Sequence, residues 1–101
     1  METYYKVVTK DIKSLGLRKN PSVLVFPLNI WVKEPRTLEY NNKDWGGIWC
    51  CEKLSAARAL KKYYKRYGEA RIFECEIGEI LFQNNYRTKT DRVKLLKEIN
   101  E

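Results

Sequence analysis

Trp45 to Leu96 reads WGGIWCCEKLSAARALKKYYKRYGEARIFECEIGEILFQNNYRTKTDRVKLL. This stretch sets down, in order, a strand, a basic helix, an acidic-edged strand and a basic strand. The helix is the firmest element. Ala56 to Tyr67 contains no helix breaker, Ser55 stands where an N-cap belongs, and Gly68 stands at the expected left-handed position after the last turn. Ala56, Leu60, Tyr63 and Tyr67 recur at helical spacing, with Ala57 and Tyr64 beside them, so this stripe is expected to pack on a sheet. Arg58, Lys61, Lys62, Lys65 and Arg66 take up the remaining surface, and the cations of the last turn oppose the negative end of the helix dipole.

After the helix, Ala70 to Ile77 alternates Phe73, Cys75 and Ile77 on one face with Ile72, Glu74 and Glu76 on the other. Ile80 to Phe82 and Tyr86 to Thr90 flank Asn84 and Asn85, a pair suited to the positive φ of a tight hairpin. Val93 to Ile99 fits a last strand or a short helix. Before the quoted stretch, Tyr4 to Val8 reads as a first strand. Thr9 caps a short helical turn, Lys10 to Leu15, that Gly16 ends. Pro21 and Pro27 bracket a strand-like run, Val23 to Phe26, and Leu28, Ile30 and Val32 alternate as a second extended piece. Arg36 to Asp44 is the most polar window and is expected to be the most mobile loop. The expectation is a single α+β domain over residues 1–101, with a mostly antiparallel sheet of about five or six strands packed on one main helix.

The 101 residues suffice for one core, and 44% hydrophobic content with seven Tyr, three Trp and three Phe belongs to a globular chain. The chain shows no apolar run of membrane-spanning length, and METYYKVV alternates where a signal peptide would be continuously apolar, so a soluble cytoplasmic protein without membrane contact is expected. The odd count of three cysteines, each within strand-like sequence, fits reduced thiols. The oligomeric state is open.

The formal net charge is +7, and its distribution is uneven. Lys53 to Arg66 holds six cations and no acid, whereas Glu69 to Glu79 holds four Glu and one Arg. A basic face and an acidic patch follow, and the basic face favours polyanions as partners.

The chain has no histidine, which removes the commonest general base, the Ser/His and Cys/His nucleophile pairs and the common zinc sites. Adjacent Cys50 and Cys51 point to opposite faces of a strand and match no metal-ligand spacing. No metal or cofactor is implied. The E-x-E pair Glu74 and Glu76 offers a carboxylate pair for acid/base chemistry if a substrate lies across that face, although an exposed, salt-bridged sheet face accounts for it as well. In Tyr86-Arg87-Thr88-Lys89-Thr90, alternation places Arg87 and Lys89 together, a pair able to hold a phosphate beside an aromatic ring. Arg58, Lys62 and Lys65 on the helix are further cation candidates. Trp45 and Trp49 around Gly46 and Gly47 are candidates for the walls of a cleft floored by glycine backbone.

The segments YYKVVTKDIKSLGLRKNP, DWGGIW, LSAARALKKYY, ARIF and NNYRTKTDRVKLL resemble a pattern found in small bacterial and phage proteins. That resemblance implies the domain limits and no activity. The order of elements is also similar to compact ADP-ribosyltransferase-like folds, in which a split sheet grips a nicotinamide dinucleotide; Glu74 and Glu76 would match the acting E-x-E carboxylates, and no Ser-Thr-Ser strand motif is present. Three functions fit these features. The first is a non-catalytic module binding a nucleotide or nucleic acid. The second is a phage-type interaction protein docking its charged face on an acidic host or defence protein, and the third is an ADP-ribosyltransferase-like enzyme using NAD.

Overall fold

A computed structural model describes residues 2–17 and 23–100. In chain order the elements are β1 (Tyr4–Thr9), β2 (Trp31–Lys33), β3 (Ile48–Cys50), α1 (Leu54–Tyr64), β4 (Ala70–Ile77), β5 (Ile80–Gln83), β6 (Thr88–Thr90) and β7 (Arg92–Ile99). The fold is α+β, and the seven strands among the described residues form two antiparallel sheets, a four-stranded one ordered β1-β4-β7-β2 and a three-stranded one ordered β3-β6-β5.

One long hairpin explains the split. Residues 70–83 run antiparallel to residues 88–99, but the hairpin bends where Gly78 and Glu79 meet Asp91, so its halves join different sheets. Gly78 N–H donates to the Arg92 carbonyl at 3.0 Å, and Glu79 N–H donates to Asp91 Oδ1 at 2.7 Å. A Cβ on Gly78 would fall 2.6 Å from Arg92 Cγ and collide with the Asp91 carboxylate, so the corner requires glycine. At the tip the hairpin forms around Asn84, though without positive φ. Instead the Asn84 side-chain oxygen accepts from the N–H groups of Tyr86 (2.8 Å) and Arg87 (3.0 Å).

The four-stranded sheet is covered on both faces. On one side Val7, Cys51, Ala57 and Ile72 form a cluster beneath α1, with Leu54, Ala56, Leu60 and Ile99 packed against it. On the other, Tyr4, Val8, Phe73, Cys75, Val93 and Leu95 meet Phe26 and the Ile48 and Cys50 side chains of the second sheet. The alternation of β1 and β4 sorts these residues: Val7 pairs with Ile72 on the helix side, and Lys6 pairs with Phe73 on the inter-sheet side.

Several sequence expectations require correction. The helix begins at Leu54, and Lys53 is its N-cap in extended geometry, its carbonyl accepting from Ala56 and Ala57 N–H groups, so Ser55 does not cap it. It ends at Tyr64 in a tight turn in which Tyr67 and Gly68 N–H groups return to the Tyr64 carbonyl; the left-handed glycines are Gly16 and Gly46, not Gly68. Thr9 does cap a turn, its Oγ1 accepting Lys13 N–H at 3.1 Å, but the turn does not continue as helix. Val23 to Phe26 contributes an isolated bridge from Val25 to Lys13 rather than a strand, and Pro21 lies outside the described residues. Val93 to Ile99 is strand. The polar window is pinned: Asp44 carbonyl accepts Trp49 Nε1, and the Asn41 and Asn42 carbonyls accept Lys89 Nζ and Arg87 Nη2.

Candidate ligand cleft

β1 is an edge strand whose edge is only partly used. Tyr5 exchanges two main-chain hydrogen bonds with Cys51 (2.8 and 2.7 Å), and Thr9 N–H donates to the Lys13 carbonyl at 2.9 Å. Strand alternation turns the intervening Val7 N–H and C=O toward the same edge, where no described residue pairs with them. A cleft of about 960 Å³ opens there. Val7 and Lys6 lie in its lining, α1 supplies Ala56, Leu60 and Tyr63, the turn after it supplies Tyr67, and Trp49, Tyr86 and Arg87 face them.

Tyr63 and Tyr67 were expected to pack on the sheet. They are instead 47% and 59% exposed, because the buried part of the helix face stops at Leu60 and the last turns overhang the cleft. Tyr86, 77% exposed, projects from the hairpin tip on the rim. Three of the helix-end rings touch one another: Tyr67 stands 6.1 Å from Tyr63 and 5.8 Å from Tyr64 between centroids.

The predicted cations divide sharply. Trp49 and Lys89 are register partners on one face of the small sheet, and Arg87 precedes them on the same side. The Arg87 guanidinium stacks 3.7 Å from the Trp49 ring centroid, pairs with Asp44 at 3.2 Å, and donates to the Asn42 carbonyl at 3.1 Å. Lys89 is fully buried, its Nζ 3.3 Å from the Asn41 carbonyl, and burial pushes its pKa below the ordinary lysine value. Arg87 and Lys89 thus tie the 41–44 loop to the sheet. Arg58, Lys62 and Lys65 stand on the side of α1 opposite Ala56, Leu60 and Tyr63, since successive helical residues turn by about 100°, and they are not in the cleft lining.

Of the two tryptophans, Trp49 is a cleft wall and Trp45 points outward, 46% exposed. Gly47 does lie in the lining, but its N–H donates to Glu34 Oε2 at 3.0 Å. Gly46 has φ 76° and packs against Glu39, so these glycines serve close packing with the 34–39 segment. Glu74 and Glu76 lie outside the cleft; Glu76 pairs with Lys94 at 3.4 Å.

Lys6 was not singled out by sequence. It is 7% exposed, its Nζ donates to the Trp49 carbonyl at 2.6 Å and sits 5.3 Å from the Phe26 ring centroid. Burial lowers its pKa, with Cys50, Cys75 and Cys51 nearby acting in the other direction. Among the described residues no carboxylate pairs with it. A signal was present: YYKVV places Lys6 between Tyr4 and Val8 on one strand face, a charge among large apolar neighbours.

No protein-family model, curated protein or solved structure matches this chain. The reading of the cleft therefore rests on its chemistry. The Cys50 thiol, hydrogen-bonded to Cys75 and buried, is held well above its ordinary pKa, and burial pushes Cys51 up to about 11. Both are neutral thiols, unsuited to nucleophilic attack at neutral pH. Among the described residues no group of His, Cys, Asp or Glu is arranged to hold a metal ion, and no helix is long and apolar enough to cross a membrane.

Proposed function

We propose that the cleft binds a nucleotide, with the base against the tyrosine and tryptophan walls and the phosphate directed to Lys6. One observation carries this reading: Lys6 is a buried lysine in the lining of an aromatic-walled cleft, with a neutral carbonyl and a ring as its contacts and no carboxylate partner among the described residues. A buried charge is costly until paired, so an arriving phosphate relieves a cost already present in the empty protein. The two carboxylates of the lining are otherwise engaged, Glu34 by the Gly47 and Arg36 N–H groups and Asp44 by Arg87. At about 960 Å³ the cleft is of the size that encloses a small organic ligand. A single mononucleotide or dinucleotide fits the concavity better than a tracked strand, because the cations of the outer helix face lie on the other side of α1.

Native mass spectrometry at low salt, with a panel of AMP, ADP, GDP, CDP and NAD, tests the reading. A one-to-one nucleotide adduct supports it. Absence of any adduct, combined with a nuclease-sensitive excess of ultraviolet absorbance, would move the assignment to nucleic acid.

A second reading, an ADP-ribosyltransferase-like use of NAD, is favoured by the two-sheet split and by the open β1 edge at Val7 beside the cleft. In this reading the acting carboxylate is not Glu74 or Glu76, which lie away from the cleft. Nicotinamide release from NAD, measured with and without added protein and nucleic-acid acceptors, tests it. Equal release with and without the protein would remove it.

A further inference from the structure

We propose that Lys6 is a covalent attachment site, its ε-amine condensing inside the cleft with an aldehyde-bearing ligand. The geometry carries this independently of the nucleotide reading. Lys6 projects from β1 toward the second sheet, is nine-tenths buried, and lies in the lining of an open cleft. Its Nζ has three donor positions, of which the Trp49 carbonyl at 2.6 Å takes one. The groups facing it are the Phe26 ring, Cys50 of β3, Cys51 beyond it and Cys75 of β4, none of them a carboxylate. The cleft's own acids, Glu34 and Asp44, are bonded to Gly47, Arg36 and Arg87.

An amine in such surroundings differs from a surface lysine in one decisive respect. Burial disfavours its ammonium form, so a larger share is the neutral nucleophile near neutral pH. The exposed Lys62 of α1 and Lys65, its C-cap, have no comparable burial. The nitrogen lone pair forms a C–N bond to the carbonyl carbon while the C=O π pair moves to oxygen, which takes a proton. The nitrogen then loses a proton, the hydroxyl, protonated in turn, leaves as water as the C=N bond forms, and the resulting iminium releases its remaining N–H proton. Amine and aldehyde give imine and water, with no oxidant or reductant required.

The test uses the intact wild-type chain and pyridoxal 5′-phosphate as the aldehyde probe. Cyanoborohydride traps the imine, and peptide mass mapping locates it. Lys6 is expected to label at least tenfold faster than Lys62 and Lys65 near pH 7, and its rate is expected to reach a plateau at lower pH than theirs. Labelling of the surface lysines with Lys6 unmodified would overturn the proposal, as would a Lys6 rate with the same pH profile as Lys62. The K6R variant, which keeps the charge but not the amine nucleophile, should lose the trapped adduct in the cleft while its surface labelling is unchanged. Added nucleotide separates the two readings. A bound phosphate both fills the cleft and favours the ammonium, so ADP that slows Lys6 labelling supports both. Selective Lys6 labelling that ADP does not slow supports this inference and counts against the nucleotide. Nucleotide adducts without Lys6 labelling do the reverse.

Discussion

Two groups of cations divide this molecule. Lys62 and Lys65, with Arg58, occupy the outer face of α1, where the amphipathic pattern of the helix placed them in water. Lys6 and Lys89 occupy strand positions in which alternation carries them inward, 7% and 0% exposed, and both have pKa values lowered by burial. The first group dominates a charge count and creates a long-range field screened within about 10 Å at ordinary salt. The second is few in number but costly to bury, and the structure spends main-chain carbonyls on it: Trp49 for Lys6 and Asn41 for Lys89. Charge density in a sequence therefore marks a surface, whereas a charge at an apolar-face position marks a site.

Tight confinement of the buried cations has the largest expected consequence for stability. In G47A, the new Cβ would lie 2.7 and 2.8 Å from the Lys89 Cγ and Cε atoms and 3.1 Å from Leu81 Cδ1. Overpacking of this kind is expected to cost about 2 to 3 kcal/mol in a urea denaturation series. Unchanged stability would mean that Lys89 is not held beneath Gly47.

The K6M variant isolates the contribution of the buried lysine through its pH dependence. Folding lowers the Lys6 pKa below 10.5, so between its native value and 10.5 the unfolded chain binds more protons than the native one. Wild-type stability attributable to Lys6 therefore rises with pH across that window, and below it the burial penalty is fully present. Relative to K6M, the wild-type urea midpoint should climb from pH 7 to pH 10, and at pH 7 the variant should be as stable as wild type or more so, by up to about 1 kcal/mol. Cys51, raised to about 11, works the other way as its unfolded-state thiol ionises, but it is common to both proteins and drops out of the difference. Parallel pH profiles would show Lys6 to be solvated.

Arg71 is intermediate. It forms a bidentate pair with Glu98 at 3.0 and 2.7 Å, yet its side chain is 37% exposed. R71A is expected to cost less than about 1 kcal/mol, and less again at high salt. At the far end, K62A and E76Q should shift thermal stability by no more than about 0.5 kcal/mol and leave nucleotide adducts unchanged.

The helix, the first strand and the Asn84 hairpin were legible because each is encoded locally, by a 3.6-residue period, a two-residue period or a turn side chain, whereas Val93 to Ile99 fitted strand and helix spacing alike. The division into two sheets was not, since it depends on Gly78 and Asp91 meeting across the hairpin, thirteen positions apart in sequence. The cleft was half legible. Trp49, Tyr86 and Arg87 were marked by composition and do meet in its lining. Tyr63 and Tyr67 read as core because periodicity gives the face of a helix but not how far the sheet beneath it extends. Lys6 escaped because it was counted as a polar residue of a strand, although its two-residue neighbours Tyr4 and Val8 are buried on the same face. Glu74 and Glu76 share a face as alternation requires, but neither reaches the cleft lining.

The most direct test of the cleft is calorimetric titration of ADP into wild-type protein, K6M and the double variant K62A/K65A under identical salt. Binding that weakens at least tenfold in K6M, about 1.4 kcal/mol, and less than twofold in the double variant would place the phosphate on the buried lysine. Equal affinity in wild type and K6M, with the loss falling on K62A/K65A, would contradict the account and return the function to the outer face of the helix.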